Sequence, residues 1–229
     1  MVQNESSGYR LAGLCGGLFA VLLFLAVASV NIPHGASDAE ITAWFSSSAN
    51  QRADILSAVF LLFAGLSFLV FTAGLTRRLQ AAPGPVLELA RNSGLAFVAL
   101  LFVAGSGVAI GRGALVDGEA LPGADVMRAF TQLRYTAMGM FAMPLVAVTI
   151  ACITYSVLRS GGLPRWFGWL GIPVAIVIVI ASGFLVGQLA IPVVLLWAIA
   201  GGICLARSGS HQVSPTPPTK APAQPVHLS

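Results

Sequence analysis

Apolar positions along this chain do not alternate with polar ones; they run in long blocks separated by short polar segments. A helix that crosses a bilayer needs about 20 predominantly apolar residues, because each residue rises about 1.5 Å through a hydrocarbon core about 30 Å thick. On that criterion the sequence predicts spans at 11–31, 55–75, 93–111 and 135–158. A further stretch, 167–206, carries no charge and is too long for one helix. Its best turn is Val186-Gly187-Gln188-Leu189, with Pro192 near the start of the next helix, so the stretch divides into a tight hairpin and the total is six crossings. A single long tilted helix there would make five and send the C-terminal tail to the opposite side.

Composition agrees with the pattern. With 57% hydrophobic and 9% charged residues the chain is too apolar for a soluble domain, in which about a quarter of residues are charged. The blocks use most of its 229 residues and leave loops too short for a separate globular core. The predicted fold class is all-α, a polytopic membrane helical bundle. It comprises an N-terminal segment at 1–10, a six-helix transmembrane domain at 11–206 and a disordered tail at 207–229 that holds Pro215, Pro217, Pro218, Pro222 and Pro225. The lipid bilayer is its expected partner. A net charge of +4 does not signal nucleic acid, since the basic residues are scattered at block ends and form no patch.

The placement of those charges sets the expected orientation, because Lys and Arg resist translocation whereas acidic residues matter little. One side receives Arg10, Arg77, Arg78, Arg91, Arg159, Arg165, Arg207 and Lys220 against Glu5 and Glu88. The other receives Arg52, Arg112, Arg128 and Arg134 against Asp38, Glu40, Asp54, Asp117, Glu119 and Asp125. The first side is expected to be cytoplasmic, with both termini on it, in the cell membrane. Segment 161–173, GGLPRWFGWLGIP, then lies at the cytoplasmic interface, where Trp166 and Trp169 read as headgroup-depth anchors. Pro164 ends the preceding helix and Gly161-Gly162 lets the chain reverse. The first block also imitates an export signal, with Arg10, an apolar run and Ala26-Val27-Ala28. The run continues through Val30 and Ile32 and is long enough to span, which favours an uncleaved anchor.

Between the first two blocks, Ser37 and Glu40 have the spacing of a capping box, and Ile41, Trp44, Phe45 and Ser48 follow at helical spacing. A short helix lying on the outer leaflet is expected. GADVMRAF at 123–130 echoes this segment ahead of the fourth block, which reads either as a trace of two related hairpins or as chance similarity. Three patches, YRLAGL at 9–14, SDAEITAWFSSSANQRADIL at 37–56 and LPRWFGWLG at 163–171, resemble uncharacterised integral membrane proteins of actinobacteria, a domain-of-unknown-function family. That resemblance implies a multi-span helical membrane protein with no assigned reaction, and it carries over no catalytic residue.

Candidate chemistry is sparse. Every Asp, Glu, Lys, Arg and His is expected in a loop, a tail or the last turn of a helix, which speaks against a proton pump or a carboxylate-coupled transporter. His34 alone lies near a span, so haem held by two His is not expected. Cys15, Cys152 and Cys204 are far apart and read as packing residues. Met138, Met140 and Met143 beside Pro144 read as core filling at a kink, where the freed Met140 carbonyl could line a small cavity. No catalytic, cofactor or metal set emerges. Glycines four apart, Gly13 with Gly17, Gly107 with Gly111 and Gly183 with Gly187, permit close helix contact inside the bundle or across a homo-oligomer.

If the chain carries a site, the sequence places it at the outer ends of the spans, where Asn31, His34, Asp38, Arg52, Asp54, Arg112 and Arg134 would gather around a shallow polar pocket. The same residues also read as interfacial snorkelling and salt bridging. Two function classes follow. One is a non-catalytic accessory or assembly protein that works by packing helices against a membrane-protein partner. The other is a transporter or channel for a small neutral or lipophilic compound, for which Asn92, Thr149 and Gln188 are few polar groups. An enzyme ranks behind both, for want of a nucleophile with its base or a phosphate loop. A reporter that is active only outside the cytoplasm, fused after Ser229, is expected to stay silent; activity would reverse the orientation.

Overall fold

Long apolar blocks satisfy their backbone groups away from water by coiling, because a helix makes its N–H to C=O bonds internally. The computed structural model describes residues 2–30, 37–79, 84–116, 118, 120–184 and 186–208, and among them every apolar block is helical and no strand occurs. α1 runs Val2–Ala28, a short α2 Asp38–Ser46 and α3 Ser48–Arg78. α4, Pro85–Gly105, continues past a turn into α5, Val108–Leu115. α6, Ala124–Tyr135, passes through a π-helical segment, Thr136–Ala142, into α7, Met143–Ser160. α8 is Arg165–Gly183, and a 3-10 turn at Gly187–Ala190 leads into α9, Ile191–Ser208. Six helices long and apolar enough to cross a membrane result: α1, α3, α4 with α5, α6 with α7, α8, and α9 with its 3-10 turn.

The long C-terminal stretch divides into α8 and α9 at the expected turn. Val186 donates its N–H back to the Ala181 carbonyl at 3.0 Å, and Pro192 occupies the second position of α9, where a missing N–H costs no helical bond. Several spans are longer than their apolar blocks. The second begins at Ser48 and the fourth at Ala124, not at 55 and 135, because neither lead-in contains a Gly or Pro to stop the helix. Hydropathy marks where a helix would be surrounded by lipid, not where its backbone ends.

At the other end of the bundle Gly161 adopts φ 67°, a left-handed conformation that suits glycine, and its N–H closes α7 on the Val157 carbonyl at 3.1 Å. Pro164 then starts α8, and the aromatic cluster that follows splits by helix face: Trp166 and Trp169 are exposed while Phe167 is buried. Arg78 lies over the Tyr9 ring, 5.5 Å from its centre, and Arg91 donates to the Thr76 hydroxyl at 3.2 Å, so α1, α3 and α4 share a basic end.

Each span packs on the next, and the sixth returns to the first, so the order around the bundle is sequential. Its interior is filled by aromatic rings from five spans. Phe19 and Phe68 stand 4.8 Å apart and Phe68 and Phe97 4.9 Å, while Trp197 bridges Phe71 at 5.8 Å and Phe167 at 5.6 Å. All six side chains are buried. Edge-on and offset rings at these separations attract beyond simple area, by about 0.5–1.5 kcal/mol per pair.

Backbones touch where glycine allows it. A Cβ on Gly13 would sit 2.6 Å from the Gly202 carbonyl oxygen, and one on Gly202 would sit 2.6 Å from that of Gly13, so α1 and α9 meet main chain to main chain. Gly17, Gly107 and Gly183 face open space. Gly13→Leu is therefore expected to push α1 off α9 at a cost of about 1–3 kcal/mol or more, seen as a lowered thermal midpoint in detergent. Gly17→Leu should leave the midpoint unchanged; equal effects from the two would contradict the close approach.

Candidate functional site

The end opposite the basic one carries the chain's polar architecture. Ser37 caps α2: its hydroxyl oxygen accepts from the Glu40 N–H at 3.4 Å, and its own N–H donates to Glu40 Oε2 at 2.8 Å. That backbone bond, joined by one from the Ser37 hydroxyl to the same carboxylate oxygen at 2.9 Å, favours the ionised form and holds Glu40 below the usual carboxylate range. A lowered folded value means that the cap's contribution is present above the unfolded value and fades as pH falls through the folded one. The apolar face of α2 does not lie on a leaflet. Ile41 and Phe45 are buried against Met127 of α6 and Ile110 of α5, forming a second small core that caps the bundle. Asp38 pairs with Arg128, so the two segments that echo each other in sequence pack together.

Beneath this cap lies a buried charge pair. Arg134 Nη1 donates to Asp54 Oδ1 at 2.6 Å and its Nη2 to Ser57 Oγ at 2.7 Å, while the Ser57 hydroxyl donates onward to the Ala26 carbonyl at 2.8 Å. The side chains of Arg134 and Asp54 are only 12% and 4% exposed. Three spans are thereby joined through one guanidinium, whose fixed fork of donors suits a carboxylate and a hydroxyl at once. The expectation that all ionised groups lie in loops or last turns needs correction here. Asp54 is in the second turn of α3, and Arg134 lies inside the continuous helix 124–160. The helices outrun their apolar blocks and carry these charges inward with them.

Among the described residues, the other anticipated site residues do not join this pair. Asp38 forms its pair at the exposed cap, and Arg52 and Arg112 are exposed on α3 and α5. Asn31 and His34 lie outside the described residues, as does the tail beyond 208. Ser57 was not singled out by sequence reasoning, although Asp54 and Ser57 stand three apart on one helix face in an otherwise apolar run, a signal for a polar partner.

A recess adjoins the pair. The fourth span is π-helical over Thr136–Ala142, just ahead of Pro144, which widens the helix and loosens its backbone bonding. The turn between α8 and α9 docks there: a Cβ on Gly187 would lie 2.1 Å from the Gly139 carbonyl oxygen. Beside this contact opens a cavity of about 520 Å³ bounded by Gln132, Tyr135, Thr136, Met140, Gln188 and Leu189. Tyr135 and Gln188 also wall an inner chamber of about 40 Å³ that reaches Arg134 and Met138. Of the three polar residues weighed for a path, Gln188 lines the recess and Asn92 is exposed. Thr149 is buried in a hydrogen bond with Ser93 at 2.8 Å. Among the described residues no three His, Cys, Asp or Glu side chains gather as a metal site, and all three cysteines are free thiols.

Fold and site together define an all-α, six-helix bundle with the composition of a multi-pass membrane protein. Comparison with protein-family models, with curated proteins and with solved structures finds no match.

Removing one member of a buried pair strands the other's charge, at about 3–5 kcal/mol. Arg134→Ala is expected to cost that much in a detergent unfolding assay, and Asp54→Asn combined with Arg134→Gln less than the sum of the single changes. Strict additivity would show that the two do not interact.

Proposed function

We propose that the protein is a non-catalytic, multi-pass protein of the cell membrane that serves as an accessory or assembly subunit, packing its helices against a membrane-protein partner or a second copy of itself. Both termini are cytoplasmic in this reading, which rests on the concentration of Arg10, Arg77, Arg78, Arg91, Arg159, Arg165 and Arg207 at one end. Membership of the uncharacterised actinobacterial family belongs to the same reading and rests on its three sequence patches. The observation that carries the proposal is the filled interior. Phe19, Phe68, Phe71, Phe97, Phe167 and Trp197 occupy the space where a conducting bundle would need a polar path, and the hydroxyls of Ser93 and Thr149 are paired with each other.

A second reading, handling of a small neutral or lipophilic compound, is favoured by the recess beside Gly139 and Gln188. Affinity capture of the tagged full chain from native membranes separates the two. A stoichiometric membrane-protein partner or a dimer that persists in lipid discs is expected; a chain recovered alone and monomeric in mild detergents and in discs would overturn the subunit role.

A further inference from the structure

We propose that the recess between the fourth span and the turn joining α8 to α9 is a binding site for a neutral amphiphile, one with hydroxyl or carbonyl oxygens on a small head and an apolar chain. The inference deepens the second reading above by naming the occupant of the same recess; the capture experiment reads partners and oligomeric state, whereas the test below reads occupancy of the recess alone.

Size comes first. At about 520 Å³ the cavity falls in the range of roughly 300–1,000 Å³ typical of small-molecule sites, far above the space of a packing defect. Its construction is specific as well. The π-helical segment and the Gly139–Gly187 backbone contact hold the two walls in place, and insertions of this kind recur at functional sites.

The lining then sets the chemistry of the occupant. Gln132, Thr136 and Gln188 present two amides and a hydroxyl, and among the described residues none of these side-chain groups has a hydrogen-bond partner. Gln132 is exposed and Thr136 and Gln188 are half-buried, so an oxygen-bearing head that enters the recess meets donors and acceptors free to pair with it. Among the described residues none that lines the cavity is charged, and the guanidinium of Arg134 is already committed to Asp54 and Ser57 behind the Tyr135 and Gln188 partition. A charged head would therefore meet no counter-charge, whereas a neutral one meets donors and acceptors. The rim is apolar: Met140, Val186 and Leu189 are all exposed there, a surface along which an acyl or prenyl chain can run outward. The inner chamber of about 40 Å³ holds about one water, which would link the bound head to the Arg134 cluster.

The test uses the full-length protein in lipid discs and a diazirine-bearing monoacylglycerol, with decylbenzoquinone as competitor and a diazirine-bearing phosphatidic acid as the anionic control. Mapping of the crosslinks by mass spectrometry is expected to place the neutral probe on 132–140 and 186–189, with labelling reduced by competitor. Gln188→Leu, which replaces the amide with a branched apolar side chain, should lower that labelling by about tenfold, the worth of one well-made hydrogen bond. Thermal midpoint and elution volume of the variant report whether the bundle is intact, and Thr136→Val provides a second apolar replacement should Gln188→Leu fail to fold. Labelling spread evenly over lipid-facing residues such as Leu14 and Leu18, equal labelling by the anionic probe, or labelling unaffected by either replacement would each overturn the site.

Discussion

In a hydrocarbon solvent an apolar side chain gains nothing by exchanging lipid for protein, so apolar helices must be held together by shape and by polar groups that have no other partner. That constraint explains both kinds of contact that organise this bundle. Shape acts where Gly13 meets Gly202 and Gly139 meets Gly187, main-chain approaches that a larger residue at Gly13, Gly202 or Gly187 would prevent. It acts again in the interlocked rings of Phe19, Phe68 and Phe97. Polar pairing acts at Asp54, Arg134 and Ser57. The magnitudes rank the two polar ties: an interhelical hydrogen bond such as Ser93 with Thr149 averages about 0.6 kcal/mol in a membrane, whereas an uncompensated buried charge costs several times more. The guanidinium cluster is thus the stronger constraint on how the first, second and fourth spans sit together.

That cluster also positions the recess. Arg134 is anchored to α3, Tyr135 follows it directly, and the π-helical segment begins at the next residue. Fixing one end of this segment to the second span while the α8–α9 turn docks on its middle leaves a gap between the two attachments. The cap formed by α2, α5 and α6 sits over the same end, its small core of Ile41, Phe45, Ile110 and Met127 separate from the main one. A basic end, an aromatic middle and a polar, partly open opposite end therefore divide the molecule along its axis.

Much of the fold was legible in the chain. Six apolar blocks became six spanning helices, the hairpin turned at 184–190, Gly161 and Pro164 separated α7 from α8, and the Ser37 capping box formed as spaced. The candidate site was less so. Asp54 and Arg134 were both among the residues placed at the outer ends, but their burial and their pairing were not visible. Ser57 and the π-helical segment carried only faint signals, a polar residue three after Asp54 and a proline two beyond Ala142.

The sequence by itself determined where the chain coils, where it turns and which end gathers the arginines, because each depends on neighbouring residues: block length, helix breakers and charges at block ends. Only the tertiary structure decided that Arg134 reaches a carboxylate 80 residues away, that Phe167 turns inward while Trp166 and Trp169 stay out, and that Gly13 packs while Gly17 does not. Those outcomes depend on the rotation of each helix about its own axis. In a bundle whose helices are apolar all round, no local pattern encodes that rotation; it is set when backbones and a few polar groups from distant parts of the chain find one another.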